Sequence, residues 1–519
     1  MLKLLMEGAS CPCCAYAMAA PVRRSSSFVR AASSREIVQV KAKANSIPAA
    51  AGSLRINGAT VVDPRDGSKV QVASVLIKDG RIAGFDDNPS IETDPGVQRI
   101  DASGKFLVPG YNDMHSHVLE LQDPSGALAL MLAEGVTGFR QMSGSPQRLE
   151  ERRNQTLPLG KNAPAVLEMP GAILTPLNAS STDAVAAEIR LQKEEGADFI
   201  KVGFVSPAVF IAAMEEAKRL GIPILGHLQD GVDASAAAKI GFKSIEHLGP
   251  GATVWIACST IEAQLKGAAK PVKIRVPPVN IPLLKRLIMW RLQTILINPA
   301  AFVPPEYVAR LQQAFDTFSE EKCKVLAQLF VTEDTWHVPT LVRLRTQELA
   351  DAAEYQTDPY LQYMPKKKVT KWRAVTKKFK KLPPTMRETY AGAYPRQLAL
   401  TGLLAGCGVR MMTGTDGGWL SGPGLTLKEE FAELGKAGLS ALKILQMTTI
   451  NAAEYLGRTE TMGTVQPGRN ADLVLLEADP LESVENLHAI SGVVRAGFHY
   501  PKKDLDALRG RVASGRGFL

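Results

Sequence analysis

Seven histidines occur in 519 residues, and four of them stand where they can do chemistry. His115 and His117 lie two apart at the end of the apolar stretches 106–108 and 110–114. On an extended strand residues i and i+2 share a face, so both imidazoles can address one ion. A His-x-His pair alone carries little, but later segments extend it. Lys201 ends Gly196-Ala197-Asp198-Phe199-Ile200-Lys201, His227 follows the apolar run 222–225, and His247 ends Ser244-Ile245-Glu246-His247. Asp416 sits in Thr413-Gly414-Thr415-Asp416-Gly417-Gly418, directly after 409–412. Each polar residue closes an apolar, strand-like run, the position at which barrel enzymes hold their catalytic groups. Imidazole and carboxylate donors suit Zn2+, and Mn2+, Co2+ or Ni2+ accept the same set.

The elements that must hold these residues can be read from the pattern around them. Short β-type runs at 54–62, 70–77 and 81–85 are separated by Asp66-Gly67 and Asp79-Gly80 turns, and the same texture returns at 471–476 and 492–500. Neither group can bury a core alone, so the two ends are expected to pair. Between them strand and helix alternate, as in 199–202 then 207–220, and 223–225 then 233–240. That alternation predicts an α/β fold: a (β/α)8 TIM-like barrel over 108–456, with a small β-sandwich domain from 53–107 and 457–503. Residues 266–396 are too long for one barrel unit and are read as a helical insertion, with amphipathic runs at 283–297 and 365–382. Residues 504–519 are expected to be a C-terminal tail.

Composition excludes several classes. Apolar residues make 45% and charged residues 22%, as in an ordinary globular protein, and no apolar run reaches the roughly 18 residues that span a bilayer. The net charge of +9 is local: 366–381 carries nine Lys or Arg and no acid, and 1–52 adds a net +5, seven basic residues against Glu7 and Glu36. With no nucleic-acid motif beside it, this charge does not predict nucleic-acid binding. The basic helix allows peripheral contact with an anionic membrane, but a solvated outer face is the expectation. Cys258, Cys323 and Cys407 are scattered, which favours a reducing, cytoplasmic compartment. Residues 1–52 read as a disordered or targeting extension, Arg- and Ser-rich and nearly free of acid, so organellar delivery is the alternative.

Over about 53–500 the sequence resembles the metal-dependent amidohydrolase superfamily. The resemblance runs through Phe106-Leu107-Val108-Pro109-Gly110-Tyr111-Asn112-Asp113-Met114-His115-Ser116-His117, the lysine, the two later histidines and Gly-Thr-Asp. It continues through Asn451-Ala452-Ala453-Glu454-Tyr455-Leu456-Gly457 and the segment 463–473. It is closest to the branch holding imidazolonepropionase-like and Xaa-Pro dipeptidase-like hydrolases. The resemblance implies that His115 and His117 bind a first metal and His227 and His247 a second, the two cofactor ions being divalent and Zn2+ in type. It implies that Lys201, carboxylated by CO2, bridges them, and that Asp416 is both ligand and catalytic proton carrier. A metal-bridging hydroxide would then cleave an amide C–N bond of a peptide-like or N-acyl amino acid substrate. Lactones or carbamates suit the same site, and a non-catalytic scaffold of this fold is the alternative from another class.

His337 falls in Thr335-Trp336-His337-Val338, where a seventh barrel strand belongs, followed by Arg343 and Arg345. One reading makes His337 and Arg343 substrate-binding, with the guanidinium gripping a carboxylate. The plainer reading is a strand-end histidine and two surface arginines. Glu246 alternates to the face opposite His247 and is expected to be structural; His488 and His499 are expected at the surface. The partner is a small-molecule amide, and a homo-oligomer is expected, with 283–297 as interface or buried lid helix.

Overall fold

The computed structural model describes residues 53–515, apart from 87–95, 122, 161–162, 229, 250–251, 269–296 and 418–422. The N-terminal extension and nearly all of the apolar run 283–297 therefore lie outside the described residues.

The first seven strands are short: β1 (Leu54–Asn57), β2 (Thr60–Val62), β3 (Lys69–Gln71), β4 (Ser74–Lys78), β5 (Arg81–Asp86), β6 (Gln98–Asp101) and β7 (Phe106–Pro109). Next come β8 (Tyr111–Ser116), β9 (Val136–Gln141), β10 (Ala165–Glu168), β11 (Ile200–Val202), β12 (Ile224–Gly226), β13 (Ser244–Glu246) and β14 (Trp336–Val338). The C-terminal strands are β15 (Leu473–Leu476), β16 (Ile490–Arg495) and β17 (Phe498–Pro501).

The two ends of the chain do pair. β15 lies antiparallel to β7 within the sheet β17-β16-β15-β7-β2-β3, while β5-β4-β1-β6 form a second sheet. Ile56, Val75, Ile77 and Ile82 of one sheet share a core with Val61, Leu107, Leu473, Leu475 and Val494 of the other. The β4–β5 connection places Asp79 at φ 52° and Gly80 at φ 72°. This is the left-handed pair that a two-residue hairpin turn demands.

The central strands are parallel, in the orders β10-β9-β8 and β11-β12-β13-β14. Single parallel bridges carry the pairing onward, from Leu174 to Val202, from His337 to Met411 and from Gly417 to Ser116. The fold is thus α/β with parallel-strand sheets. Helices cover the strands, which explains why β8, β9, β11, β12, β13 and β14 are buried along their whole length. Helix Pro207–Leu220 shows how the sequence sets the boundaries. Ser206 Oγ accepts from the Val209 N–H, Pro207 takes the first turn, and Gly221 ends the helix at φ 64°.

Within the expected insertion, helix Lys366–Lys380 turns Trp372, Val375 and Phe379 into a cluster with Ile297, Tyr355 and Tyr390. Lys366, Lys367, Lys377 and Lys380 remain exposed. No helix among the described residues is long and apolar enough to cross a membrane.

The C-terminal segment departs from the expected tail. Lys502–Ser514 is a helix whose Leu505 and Leu508 enter the main core, and Arg509 pairs with Glu134 at 3.0 Å. Two apolar positions one turn apart are enough to dock it, a pattern too short to announce itself in sequence. Leu505→Ala should therefore cost about 2–5 kcal/mol, the range for a buried leucine. Urea unfolding checks this; an unchanged midpoint with an unchanged slope would mean the helix contributes nothing.

Candidate metal centre

The site is assembled along one backbone seam. The Met114 N–H donates to Thr413 O at 2.9 Å, the Asp416 N–H to His115 O at 2.8 Å, and the His117 N–H to Gly417 O at 2.9 Å. Asp113 reinforces the seam by accepting from Thr415 Oγ1 at 2.7 Å, and burial pushes its carboxyl up to about 7. Gly414 is required for the approach: a Cβ there would stand 2.5 Å from Val338 Cγ1 and 2.7 Å from His115 Cβ. Asp416 itself has φ 53°, a left-handed turn that orients its carboxylate.

That carboxylate meets the histidine pair. Asp416 Oδ1 lies 3.4 Å from His115 Nε2 and 3.2 Å from His117 Nε2. The His115 and His247 rings are 4.6 Å apart, and those of His227 and His247 5.2 Å. His115, His247 and Asp416 can each offer a ligand atom within 4.8 Å of the others. All of these side chains are buried, as is Lys201. Burial pushes the His115 imidazole down to about 3, helped by the charge of Lys201, so it is neutral and able to ligate. Burial would also neutralise Asp416, but its contact with His117 and the surrounding imidazoles hold it well below the usual carboxylate range.

Ring orientation is fixed from behind. Ser143 Oγ donates to Glu120 Oε1 at 2.7 Å, so it must accept from His117 Nδ1 at 2.8 Å. His247 Nδ1 meets Thr340 Oγ1 at 2.6 Å, and His115 Nδ1 meets Glu246 Oε2 at 2.6 Å. The last contact corrects the reading of Glu246 as a bystander. Alternation assumes an extended backbone, whereas His247 is left-handed at φ 56°. Glu246 and His247 therefore both reach the cluster.

Lys201 is the chemical anomaly. Its Nζ is fully buried and has no hydrogen-bond partner among the described residues. Its stem passes across Gly226, where a Cβ would stand 3.0 Å from Lys201 Cδ and 2.3 Å from Val202 O. A buried ammonium without hydrogen-bond partners is costly, and it can only donate. Four imidazoles, a carboxylate and a lysine without an acceptor are a donor set that fits divalent cations once the lysine is converted to an anionic oxygen ligand.

The remaining candidates separate. Arg343 joins the cluster, its Nε 3.3 Å from Asp416 Oδ2. Arg345 instead pairs with Glu354 and, at 3.3 Å, with Glu433. His337 is not brought to the cluster: its ring lies 4.8 Å from that of Phe330 at a tilt of 56°, while its neighbours Trp336 and Val338 pack with Met114 and Met412. His488 and His499 are not surface residues but half-buried, and the His488 ring lies 5.0 Å from that of Phe431.

Comparison with known proteins follows this geometry. Residues 395–498 match the Amidohydrolase family. A dihydroorotase of Desulforapulum autotrophicum is 27% identical over 222 residues, 37% of this chain and 48% of that protein. The chain thus spans about half the length of that curated relative. Among solved structures, a bottromycin amidohydrolase aligns over 90% of this chain and 91% of its own, with TM-score 0.62 and 21% identity. A Xaa-Pro dipeptidase with methionine bound in its active site aligns over 86% of this chain and 100% of its own, with TM-score 0.56 and 17% identity.

The helix that delivers Arg343 has its own pH signature. Leu341–Glu348 is held at its start by Glu430 Oε2, which accepts the Val342 N–H at 2.8 Å, and ends at a buried Glu348. Burial pushes Glu348 up to about 8, against a contact from Gln397. Between its unfolded value near 4.3 and about 8, the folded chain binds the extra proton, so stability falls as pH rises through that window. Glu348→Gln does not titrate and should gain stability relative to the parent between about pH 5 and pH 9. Denaturant midpoints at several pH values test this, and a flat difference would refute it.

Proposed function

We propose that this chain, a member of the amidohydrolase superfamily with Xaa-Pro dipeptidase-like neighbours, is a binuclear metal-dependent hydrolase of peptide-like or N-acyl amino acid amides. The proposal includes closure of the parallel sheets into a (β/α)8 barrel, with the two sheets from the chain ends forming a β-sandwich beside it. The observation that carries it is Lys201, whose buried Nζ has no hydrogen-bond partner among the described residues and which lies near enough to His115 and Glu246 to act on both electrostatically. In this reading the lysine, carboxylated by CO2, would supply an anionic oxygen ligand to two ions. His115, His117 and Asp416 would hold the first, and His227 and His247 the second. Bound there, two divalent cations such as Zn2+ would supply Lewis acidity and an activated water.

The chain's own groups do the rest. Asp416 enters the reaction ionised, takes a proton at its carboxylate and delivers it to the departing amine nitrogen. The left-handed Asp416 backbone, bonded to His115 O, holds that carboxylate in place during the transfer. Ser143, Thr340 and Glu246 keep the three rings from turning. Arg343, beside Asp416, is the cation suited to a substrate carboxylate. The bound methionine of the Xaa-Pro dipeptidase supports a free-carboxylate ligand here.

Lys201→Ala should lose one or both ions and nearly all amide hydrolysis, with partial rescue by short carboxylic acids. Metal analysis of the purified protein reads the first effect directly. A variant that keeps two ions and normal turnover would end the carbamate assignment. Arg343→Ala should raise KM much more for N-acyl amino acids than for their C-terminal amides, because only the free acid loses an ion pair. Equal changes for acid and amide would remove Arg343 from substrate recognition while leaving the metal chemistry standing.

A further inference from the structure

Behind His115 lies a polar arrangement larger than one ligand needs. Glu246 ends β13, Arg140 lies in β9 and His115 in β8, and the side chains of all three are fully buried. Glu246 Oε2 faces His115 Nδ1 at 2.6 Å. Its other oxygen accepts from Arg140 Nη2 at 3.0 Å and from Ser244 Oγ at 2.8 Å. Arg140 also donates from Nε to Met114 O at 2.7 Å, the carbonyl just before His115. The guanidinium itself is held 4.9 Å above the Tyr455 ring and 5.7 Å from that of Phe199. Three strands therefore converge on one carboxylate, and every partner of that carboxylate is a donor.

The chemistry of this contact has one solution. An ionised carboxylate only accepts, so the hydrogen between Glu246 and His115 must sit on Nδ1. That leaves the Nε2 lone pair directed at Asp416 and the other rings. Were Glu246 protonated, its O–H could donate to Nδ1 and move the ring hydrogen to Nε2, where it would block a metal. Arg140 Nη2 at 3.0 Å and Ser244 Oγ at 2.8 Å both donate to Glu246 and hold it as an accepting carboxylate. Ser244, on the same strand face, fills a further lone pair and prevents the carboxylate from rotating away.

We propose that Glu246, clamped by Arg140 and Ser244, is a positioning residue that fixes His115 as its Nδ1–H tautomer and so makes Nε2 the metal-ligating atom. The inference rests on the reading of the cluster as a metal centre. It differs from a purely architectural role, in which the buried Arg140–Glu246 pair merely ties strands together. Such a pair adds little net stability over apolar residues of the same shape, whereas a carboxylate behind a ligating imidazole governs both its orientation and its basicity.

Glu246→Gln separates the two roles. A glutamine has one acceptor oxygen for two demanding donors, Arg140 and His115. Facing its amide nitrogen to the guanidinium sets donor against charge, so the nitrogen turns to His115 and imposes the Nε2–H tautomer. Zn2+ binding to the apo protein, measured by competition with a chromophoric chelator, should weaken about 10–100-fold, the usual cost of losing such a partner. Long-range 1H–15N spectra of the apo chain with 15N-labelled histidine should show His115 as Nδ1–H in the parent and Nε2–H in the variant. The His115 signals are assigned by their absence from His115→Asn. Unchanged Zn2+ affinity with an unchanged tautomer would overturn the proposal, as would an Nε2–H His115 in the parent. A variant that only melts earlier, with both readouts unmoved, returns Glu246 to architecture. Should Glu246→Gln fail to fold, the parent spectrum alone still decides the tautomer. If the parent shows Nδ1–H yet binds no Zn2+, the tautomer assignment stands and the metal reading of the previous section falls.

Discussion

The hydrogen-bonded seam between 114–117 and 413–417 is the contact on which the site depends. Asp113 and Thr415 are 302 positions apart in sequence, yet they exchange a 2.7 Å hydrogen bond in the core. Buried backbone groups must be paired, and here the pairing of His115 O with the Asp416 N–H also sets a carboxylate beside two imidazoles. The same bonds that satisfy the backbone thus build the cluster. Non-local contacts of this kind form only after much of the intervening chain is in place, so the site is completed late rather than carried by any single segment. Gly414 shows how little tolerance there is, since a methyl group at that position would collide with His115 and Val338.

Around the seam the chain buries many polar groups, and several of them are answered in pairs. Ser143, Thr340 and Glu246 stand behind three of the rings, so each has one nitrogen engaged and the other turned inward. Lys201 breaks this pattern. A buried charge without hydrogen-bond partners costs several kcal/mol, a large fraction of the roughly 5–15 kcal/mol that separates folded from unfolded domains. On the proposed reading, its position on β11, with Gly226 clearing a path for its stem, suits a nitrogen converted to a group that accepts rather than donates.

Much of this was legible in the residues because strand ends are marked twice, by an apolar run and by the polar residue that closes it. His115, Lys201, His227, His247 and Asp416 all carry that double mark, and the pairing of the chain ends followed from two β-rich segments too small to stand alone. The misses have a common physical cause: they turn on backbone geometry that composition does not encode. Strict alternation turns Glu246 away from the cluster, and it fails where His247 enters the left-handed region. The C-terminal helix rests on Leu505 and Leu508, two positions in a segment otherwise rich in charge. His488 was read as exposed because nothing nearby in sequence announces Phe431, the ring that covers it.

The placement of Arg343 links the helical elaboration to the chemistry. Its helix starts one residue after Thr340, whose hydroxyl touches His247, and its side chain reaches Asp416. A shift of this helix would therefore move a ring partner and a cation together. Arg343 stabilises the ionised form of Asp416, which favours ligation but opposes proton uptake. On the proposed reading, a substrate carboxylate that draws on the same guanidinium would relax this restraint as it binds. Asp416 would then become a better base only when an acid-bearing substrate is present. Recognition and proton transfer would in that case be two uses of one cation, set by the 3.3 Å contact between Arg343 and Asp416.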